Sequence, residues 1–388
     1  MEQWKEINAT EFCYHITDGT HDSPKAVPEG KFLITSKHIK NDQIDFDSAY
    51  KISEEDYFKI VSRSKVDKWD IIISMIGAYC GFCYLQDNNQ TDFAIKNVGL
   101  FKVGEEYKCK WLYYYLTSPQ GKQQLAMMRS GSSQPYIALN SLRNLKIPCP
   151  SKEIMVAVVS ILDSIDKKIR LNRQINDNLE QQAQALYLSY FSDTPLCCLG
   201  DMVKTASGGT PSRNNLDYYS HSGIDWVKSK ELNRSIIFQT EERITNNAIN
   251  YSSAKVLPKY STLIAMYGAT VGEYGLIAEP MTCNQAICAL IPNENYPYTY
   301  LFMFAKNVRQ ELINNAVGSA QQNISQVMIK NMQISSDLDS IKKFDDSVRG
   351  IFDSYIHLSK EILYLTELRD TLLPRLMSGE LKINEINC

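Results

Sequence analysis

From Lys152 to Phe191 the chain contains neither Gly nor Pro, and apolar side chains recur at Val158, Leu162, Ile165, Ile169, Leu179, Ala183, Leu186 and Tyr190. The same 4-3 spacing carries through the middle onto two polar residues, Asn172 and Asn176. A stripe with this period lies on one helix face and is the pattern of a long helix packed against another long helix. At 1.5 Å per residue such a helix is roughly 50–60 Å long, more than a compact domain needs, and reads as a spacer. A second stripe runs through Ile341, Phe344, Val348, Ile351, Tyr355, Leu358, Ile362, Leu365, Leu372 and Leu376, with Arg369 as its polar intruder. Two long helices separated by a domain pair most simply as an antiparallel coiled coil. Its predicted contacts are Leu162, Ile165, Ile169, Leu179 and Leu186 on one side and Tyr355, Leu358, Ile362, Leu365 and Leu372 on the other. The competing reading is two ordinary core helices of a bundle; the length of both stripes favours the coiled coil.

The helices divide the chain into residues 1–150, 151–192, 193–338 and 339–388, and the first and third segments repeat one another. KFLITSKHIK (31–40) reads as a strand with a basic end and is echoed by IDWVKSKEL (224–232). WDIIISMIGAYCGFCYL (69–85) reads as strand, glycine turn, strand, and is echoed by YSTLIAMYGATVGEYGLI (260–277), with Gly77 and Gly81 each 191 residues before Gly268 and Gly272. An aromatic helix over 108–118 is matched by one over 298–307, and the polar loop RSGSSQPY (129–136) by VGSAQQNIS (317–325). Asn97 and Gly131 precede Asn284 and Gly318 by 187 residues. This is a duplicated domain-plus-helix unit rather than a solenoid, and it implies a pseudo-two-fold molecule. A shared skeleton with divergent side chains suits a protein that reads two versions of one kind of ligand.

Composition narrows the class. With 388 residues, 44% of them hydrophobic and 22% charged, the chain has room for two or three domains with their own cores. MEQWKEINAT lacks the pattern of a secretory leader and no apolar stretch approaches a membrane span, so a cytoplasmic, non-membrane protein is expected. Net charge is −3, but residues 101–150 carry Lys102, Lys108, Lys110, Lys122, Arg129, Arg143 and Lys146 against Glu105 and Glu106. That basic excess fits either a solvated face or a nucleic-acid patch. The ten cysteines are scattered, as free buried thiols would be. Cys80-Gly-Phe-Cys83 has redox-site spacing, yet it lies between strands, and the repeat carries Val271 and Tyr274 there instead. A metal site would need further ligands, and none is expected. The five histidines make no ligand-spaced pair, and no phosphate-binding GxxxxGK[ST] loop is present.

The order of these motifs resembles the specificity subunits of type I restriction-modification systems. The resemblance rests on KWDIIISMIGA and YSTLIAMYGA, on GSSQPYIALNSLRNLKIPCPS and GSAQQNISQVMIKNMQI, and on the closing LRDTLLPRLMSGELKI (368–383). It spans almost the whole chain; each motif alone is weak and only their succession is specific. It implies an α+β fold with two pseudo-two-fold-related mixed α/β target-recognition domains separated by two long antiparallel coiled-coil helices. It further implies a non-catalytic subunit whose domains each read half of a bipartite site in double-stranded DNA. The helices would set the spacing of the halves and dock two methyltransferase subunits, through which restriction subunits join. S-adenosylmethionine, ATP and Mg2+ would be used by those partners for adenine-N6 methylation and ATP-dependent cleavage, and no cofactor would be bound by this chain. In keeping with this, the chain has no Pro-Pro pair, as an amine methyltransferase loop would.

Residue chemistry supplies the candidates for DNA contact. Gln and Asn pair bidentately with adenine, Arg and Lys with guanine, and Ser reaches phosphate. In the first domain these are Ser36, Lys37 and His38 at the strand end and Ser132, Ser133, Gln134 and Tyr136 in the loop. In the second they are Ser229 and Lys230, then Ser319, Gln321, Gln322 and Asn323. The loops would serve equally as polar turns capping a helix or supporting the scaffold. Changing Gln134 is expected to alter one half-site only, and Leu162→Asp with Ile165→Asp to abolish assembly with the methyltransferase. Three rivals stay open: the recognition subunit of a related two-subunit restriction-methylation system, a coiled-coil adaptor, and a CxxC redox protein.

Overall fold

The computed structural model describes residues 4–40, 43–131, 134–317 and 323–381. In the first domain four antiparallel strands stand in the order His15–Asp18, Val98–Lys102, Asp70–Ser74, Cys83–Gln86. In the second the order is Thr205–Ser207, Ile287–Leu290, Thr262–Ala265, Tyr274–Ile277, with Ser235–Ile237 added in parallel at the end. A three-stranded sheet is duplicated as well. Lys31–Ile34 lies between Lys51–Ile52 (antiparallel) and Phe93–Ile95 (parallel). Tyr219–Val227 lies likewise between Arg243–Ile244 and Thr282–Cys283. A two-stranded ribbon closes each domain, Lys5–Asn8 with Lys146–Cys149 and Leu196–Cys198 with Gln333–Ser335. The repeat seen in the residues is thus a repeat of hydrogen-bond topology.

Local chemistry explains the shared units. Asp70–Ser74 is a run of three isoleucines between polar ends with every residue buried, as a strand covered on both faces requires. The turn after it needs φ near +77° at Gly77 and +94° at Gly81, and its copy needs +71° and +79° at Gly268 and Gly272. Those are left-handed values that a Cβ disfavours. The expected strand at 31–40 is shorter than its alternation suggests: it ends at Ile34, and a 3-10 turn follows over Ser36–His38. The aromatic helix of the second domain runs to Asn314, well past the expected end.

The two long helices extend over Lys152–Phe191 and Leu338–Met377. Tertiary contacts group the chain into two units, Met1–Lys168 with Leu365–Cys388, and Ile169–Tyr364. Each unit therefore takes in one of the two repeated domains and a part of each long helix. In the first, Val158, Leu162, Leu373 and Leu376 share a core with Trp111, Leu112 and the strand residues Ile71 and Ile73. In the second, Ala183, Tyr187, Phe344 and Val348 share a core with Tyr300, Leu301 and Phe302 of the aromatic helix. Ordered pairs show the antiparallel sense: Tyr187 meets Phe344, Asn176 meets Ser359, and Asn172 meets Glu361.

Of the expected helix contacts, Leu162, Ile169 and Tyr355 are buried, while Ile165, Leu179, Leu186, Leu358, Ile362, Leu365 and Leu372 are half-buried. Asn172 and Asn176 are buried at the positions where the stripe turns polar. Their side-chain amides donate to Glu361 (2.7 Å) and Ser359 (3.0 Å), and their carbonyl oxygens have no partner. Just beside them Leu171 and Ile175 are 50% and 38% exposed.

Candidate nucleic-acid interface

Three segments converge in the first domain. The 3-10 turn Ser36–His38 touches the 3-10 turn Gly77–Tyr79. The Gly77 amide donates to the Pro135 carbonyl (2.9 Å), and the Ile137 amide to the Met75 carbonyl (2.9 Å). The loop leading into Ile137 is closed by a reciprocal pair: Ser130 N–H to the Tyr136 carbonyl (2.8 Å) and Tyr136 N–H to the Ser130 carbonyl (2.9 Å). The second domain repeats this clamp. Val317 and Asn323 exchange the same two bonds at 3.0 Å each, and the Ile324 amide donates to the Met266 carbonyl (2.9 Å).

Not every candidate faces outward. Ser36 is buried and its hydroxyl donates to the Asn97 carbonyl (3.1 Å). His38 is fully buried, and its Nδ1 accepts from the Thr35 amide (3.0 Å), capping the turn. Burial, reinforced by neighbouring Lys37, pushes its pKa below the ordinary imidazole value. Neither side chain is placed to reach a base edge, which corrects the expectation for both: a polar residue at the end of a strand satisfies the turn's own backbone first. Lys37, Gln134 and Tyr136 are exposed. In the second domain Ser229 is half-buried, Lys230 is exposed but paired with Glu241 (2.6 Å), and Asn323 is exposed. Ser132, Ser133, Ser319, Gln321 and Gln322 lie outside the described residues.

Much of the basic excess of residues 101–150 is engaged by other groups of the chain. Lys102 reaches Asp67 (2.8 Å) and Asp70 (2.7 Å), Lys110 reaches Glu106 (2.6 Å) and Asp163 (3.0 Å), and Lys108 pairs with Glu105. Arg129 and Arg143 donate to the carbonyls of Cys80 (2.6 Å) and Ile16 (3.4 Å). Most of the carboxylates that neutralise this stretch come from elsewhere in the chain, so a local charge count misses them. Lys122 and Lys146 are exposed.

The Cys80/Cys83 pair has the opposite of redox electrostatics. Both thiols are buried, and burial pushes Cys83 up to about 12 and raises Cys80 against the pull of Arg129. A reactive thiol needs its pKa lowered. Among the described residues no group of three or more His, Cys, Asp or Glu is placed to hold a metal ion, and no helix is long and apolar enough to cross a membrane.

Several polar and strained positions near this surface were not singled out from the sequence. Arg63 donates to Asp18 (3.1 Å) and to the Gly19 carbonyl (2.8 Å), while His21 bridges Asp18 (3.0 Å) and Asn97 (2.9 Å). Trp69 and Tyr260, aromatic residues 191 apart, both hold a left-handed backbone (φ 67° and 66°) before equivalent strands. Their shared offset was the available signal. Ile76 and Tyr267 sit opposite the loop residues Tyr136 and Asn323 in isolated antiparallel bridges.

Fold and site together define a duplicated recognition scaffold, two copies of one platform carrying different side chains. The chain matches the type I restriction modification DNA specificity domain over residues 1–181 and 193–336, and it belongs to that family. It is 24% identical to the specificity subunit of the type I restriction enzyme HindI of Haemophilus influenzae, over 98% of this chain and all of that one. It is 27% identical to the EcoR124I/EcoR124II specificity subunit of Escherichia coli over half of each chain. With the MjaIX specificity subunit of Methanocaldococcus jannaschii it shares 23% identity over 71% of this chain and 70% of that one. The fold is that of the S subunit of a type I restriction-modification system from M. genitalium, with a TM-score of 0.61, 15% identity and 96% of both chains covered.

Proposed function

We propose that this chain is the non-catalytic specificity subunit of a type I restriction-modification complex, each recognition domain reading one half of a bipartite DNA site. The observation that carries this reading is the doubled platform: one backbone clamp, built twice from the same bonds, displays Tyr136 in one domain and Asn323 in the other. A protein that reads two different half-sites needs a common frame with divergent contacts. The paired long helices then space the halves and dock methyltransferase subunits, two in the complete assembly, with restriction subunits joining through them. S-adenosylmethionine, ATP and Mg2+ belong to those partners, which methylate adenine and cleave unmethylated DNA.

Exposure on the helix supports a different choice of docking residues from the stripe. Leu162 is fully buried in the chain's own core and Ile165 is half-buried. Aspartate at those two positions would unfold this protein before it tested any partner. Leu171 and Ile175, one helical turn apart, are left open on the same helix, as are Val156 and Leu188 nearer its ends.

The direct test is a base-resolution map of adenine methylation in cells carrying the partner methyltransferase, with and without this chain. The expected result is a motif of two short specified halves around an unspecified gap, present only with this chain. No dependent motif beside an active partner overturns the reading.

A further inference from the structure

The duplication separates residues that hold DNA from residues that distinguish its sequence. A contact made identically in both domains cannot make the two half-sites differ. A difference at a matched, exposed position can. Gln134 and Gln321 are the same amino acid at matched positions of the two loops, as are Lys37 and Lys230 at the two turns.

One cross-strand pair, by contrast, differs between the domains. In the first domain Ile76 of the turn segment lies opposite Tyr136 of the loop; in the second Tyr267 lies opposite Asn323. The frame around them is the same in both domains. Met75 and Met266 accept from Ile137 and Ile324, and the loops are closed by the same reciprocal bonds. Residues directly opposite in an antiparallel bridge project their side chains to one face. Tyr136 is 46% exposed and Tyr267 39%, Asn323 is exposed, and Ile76 is half-buried. Each domain therefore presents one open tyrosine at the same place in the fold, but from opposite members of the pair. Beside it stands an aliphatic side chain in one domain and a carboxamide in the other.

Resting on the specificity-subunit reading, we infer that the pairs Ile76–Tyr136 and Tyr267–Asn323 are half-site-determining residues, one pair for each half of the DNA site. The chemistry on offer differs in the way base edges differ. Ile76 suits the methyl group of thymine, and the Asn323 amide suits the donor–acceptor edge of adenine. The tyrosine ring supplies a broad apolar face in both domains, its position relative to the second side chain reversed.

The next turn position diverges in step. Tyr79 packs edge-on against Phe82 at 5.7 Å, whereas the matching Thr270 donates to the Tyr267 carbonyl (3.1 Å) and Glu273 is held by Arg234 (2.8 Å) and Arg309 (2.6 Å). The two turns thus support their reading pairs with different packing on one backbone.

The experiment uses the full chain with its methyltransferase, and compares wild type with Tyr136→Asn and Asn323→Tyr by quantitative methylome mapping. Both positions are exposed, so neither change strands a buried group; co-purification with the methyltransferase verifies that each variant is folded. Tyr136→Asn is expected to change the relative methylation of sites differing at one base pair by about tenfold, in one half of the motif only. Asn323→Tyr is expected to do the same in the other half. An unchanged motif in either folded variant, a change in both halves, or a uniform loss with base preference intact would each overturn the inference. If wild type directs no motif at all, the specificity-subunit reading itself fails, a result distinct from all of these.

Discussion

His38 and the thiols show how a residue's surroundings decide its role. His38 offers its Nδ1 to the Thr35 amide inside the first domain. His38→Ala should therefore lower stability by about 1–2 kcal/mol in chemical denaturation through the lost cap. A destabilisation below a few tenths would show the cap to be idle. The buried thiols predict a pH effect. Burial pushes Cys13, Cys83, Cys283 and Cys288 from 9.0 up to about 12. Above pH 9 the unfolded chain gives up these protons while the folded chain keeps them, so stability must fall as pH rises from 9 towards 12. Each thiol contributes about 1.4 kcal/mol per pH unit in that window. The urea midpoint should be lower at pH 10 than at pH 8, and a midpoint unchanged across that range would contradict the assignment.

At the scale of elements, each recognition domain is tied to its long helix through an aromatic helix and a buried aspartate. In the first unit Asp163 accepts from Lys110 (3.0 Å) and Lys167 (2.8 Å). In the second Asp345 accepts from the Thr299 hydroxyl (2.6 Å) and pairs with Arg349. Arg369, the intruder in the apolar stripe, finds Asp166 (3.0 Å), whose carboxylate also accepts from Tyr114 (2.8 Å). Asp163→Ala leaves the buried Lys110 ammonium with Glu106, itself half exposed, as its carboxylate partner beside the Trp69 ring, and should cost about 3 kcal/mol. Asp345→Ala strands a hydroxyl and should cost about 1 kcal/mol. Equilibrium unfolding of the two variants tests the order; a larger loss for Asp345→Ala would refute it. Asn172 and Asn176 bury carbonyl oxygens without partners, a cost that a plain apolar seam would avoid. Paid at two successive seam positions, it disfavours other alignments of the helices, where those amides would also lose Glu361 and Ser359.

For the whole molecule, the open apolar positions on the first long helix bear on assembly. Leu171→Asp with Ile175→Asp should abolish co-purification with the methyltransferase while leaving the thermal unfolding of the free chain within about 1 °C. Retained assembly would place docking elsewhere. Leu162→Asp is the contrasting variant and should destabilise the free chain itself by several kcal/mol, on the order of 3–5, because it buries a charge in the core.

The sequence by itself determined the two long helices, the duplication and the order of the repeated motifs. Those features are periodic or recur at a fixed offset, so they survive without knowledge of which residues meet. The long-helix span Lys152–Phe191 and the glycine turns at Gly77 and Gly268 were legible for that reason. Only the tertiary structure decided which polar residues face solvent. Ser36 and His38 turn inward, Lys102 and Lys110 are consumed by carboxylates distant in sequence, and the half-buried seam residues differ from the fully buried ones. The pairing of Ile76 with Tyr136, and of Tyr267 with Asn323, was equally hidden, since its members lie more than fifty residues apart. Exposure and partnership belong to contacts between distant segments, and a linear pattern of side chains records only which residues are available to make them.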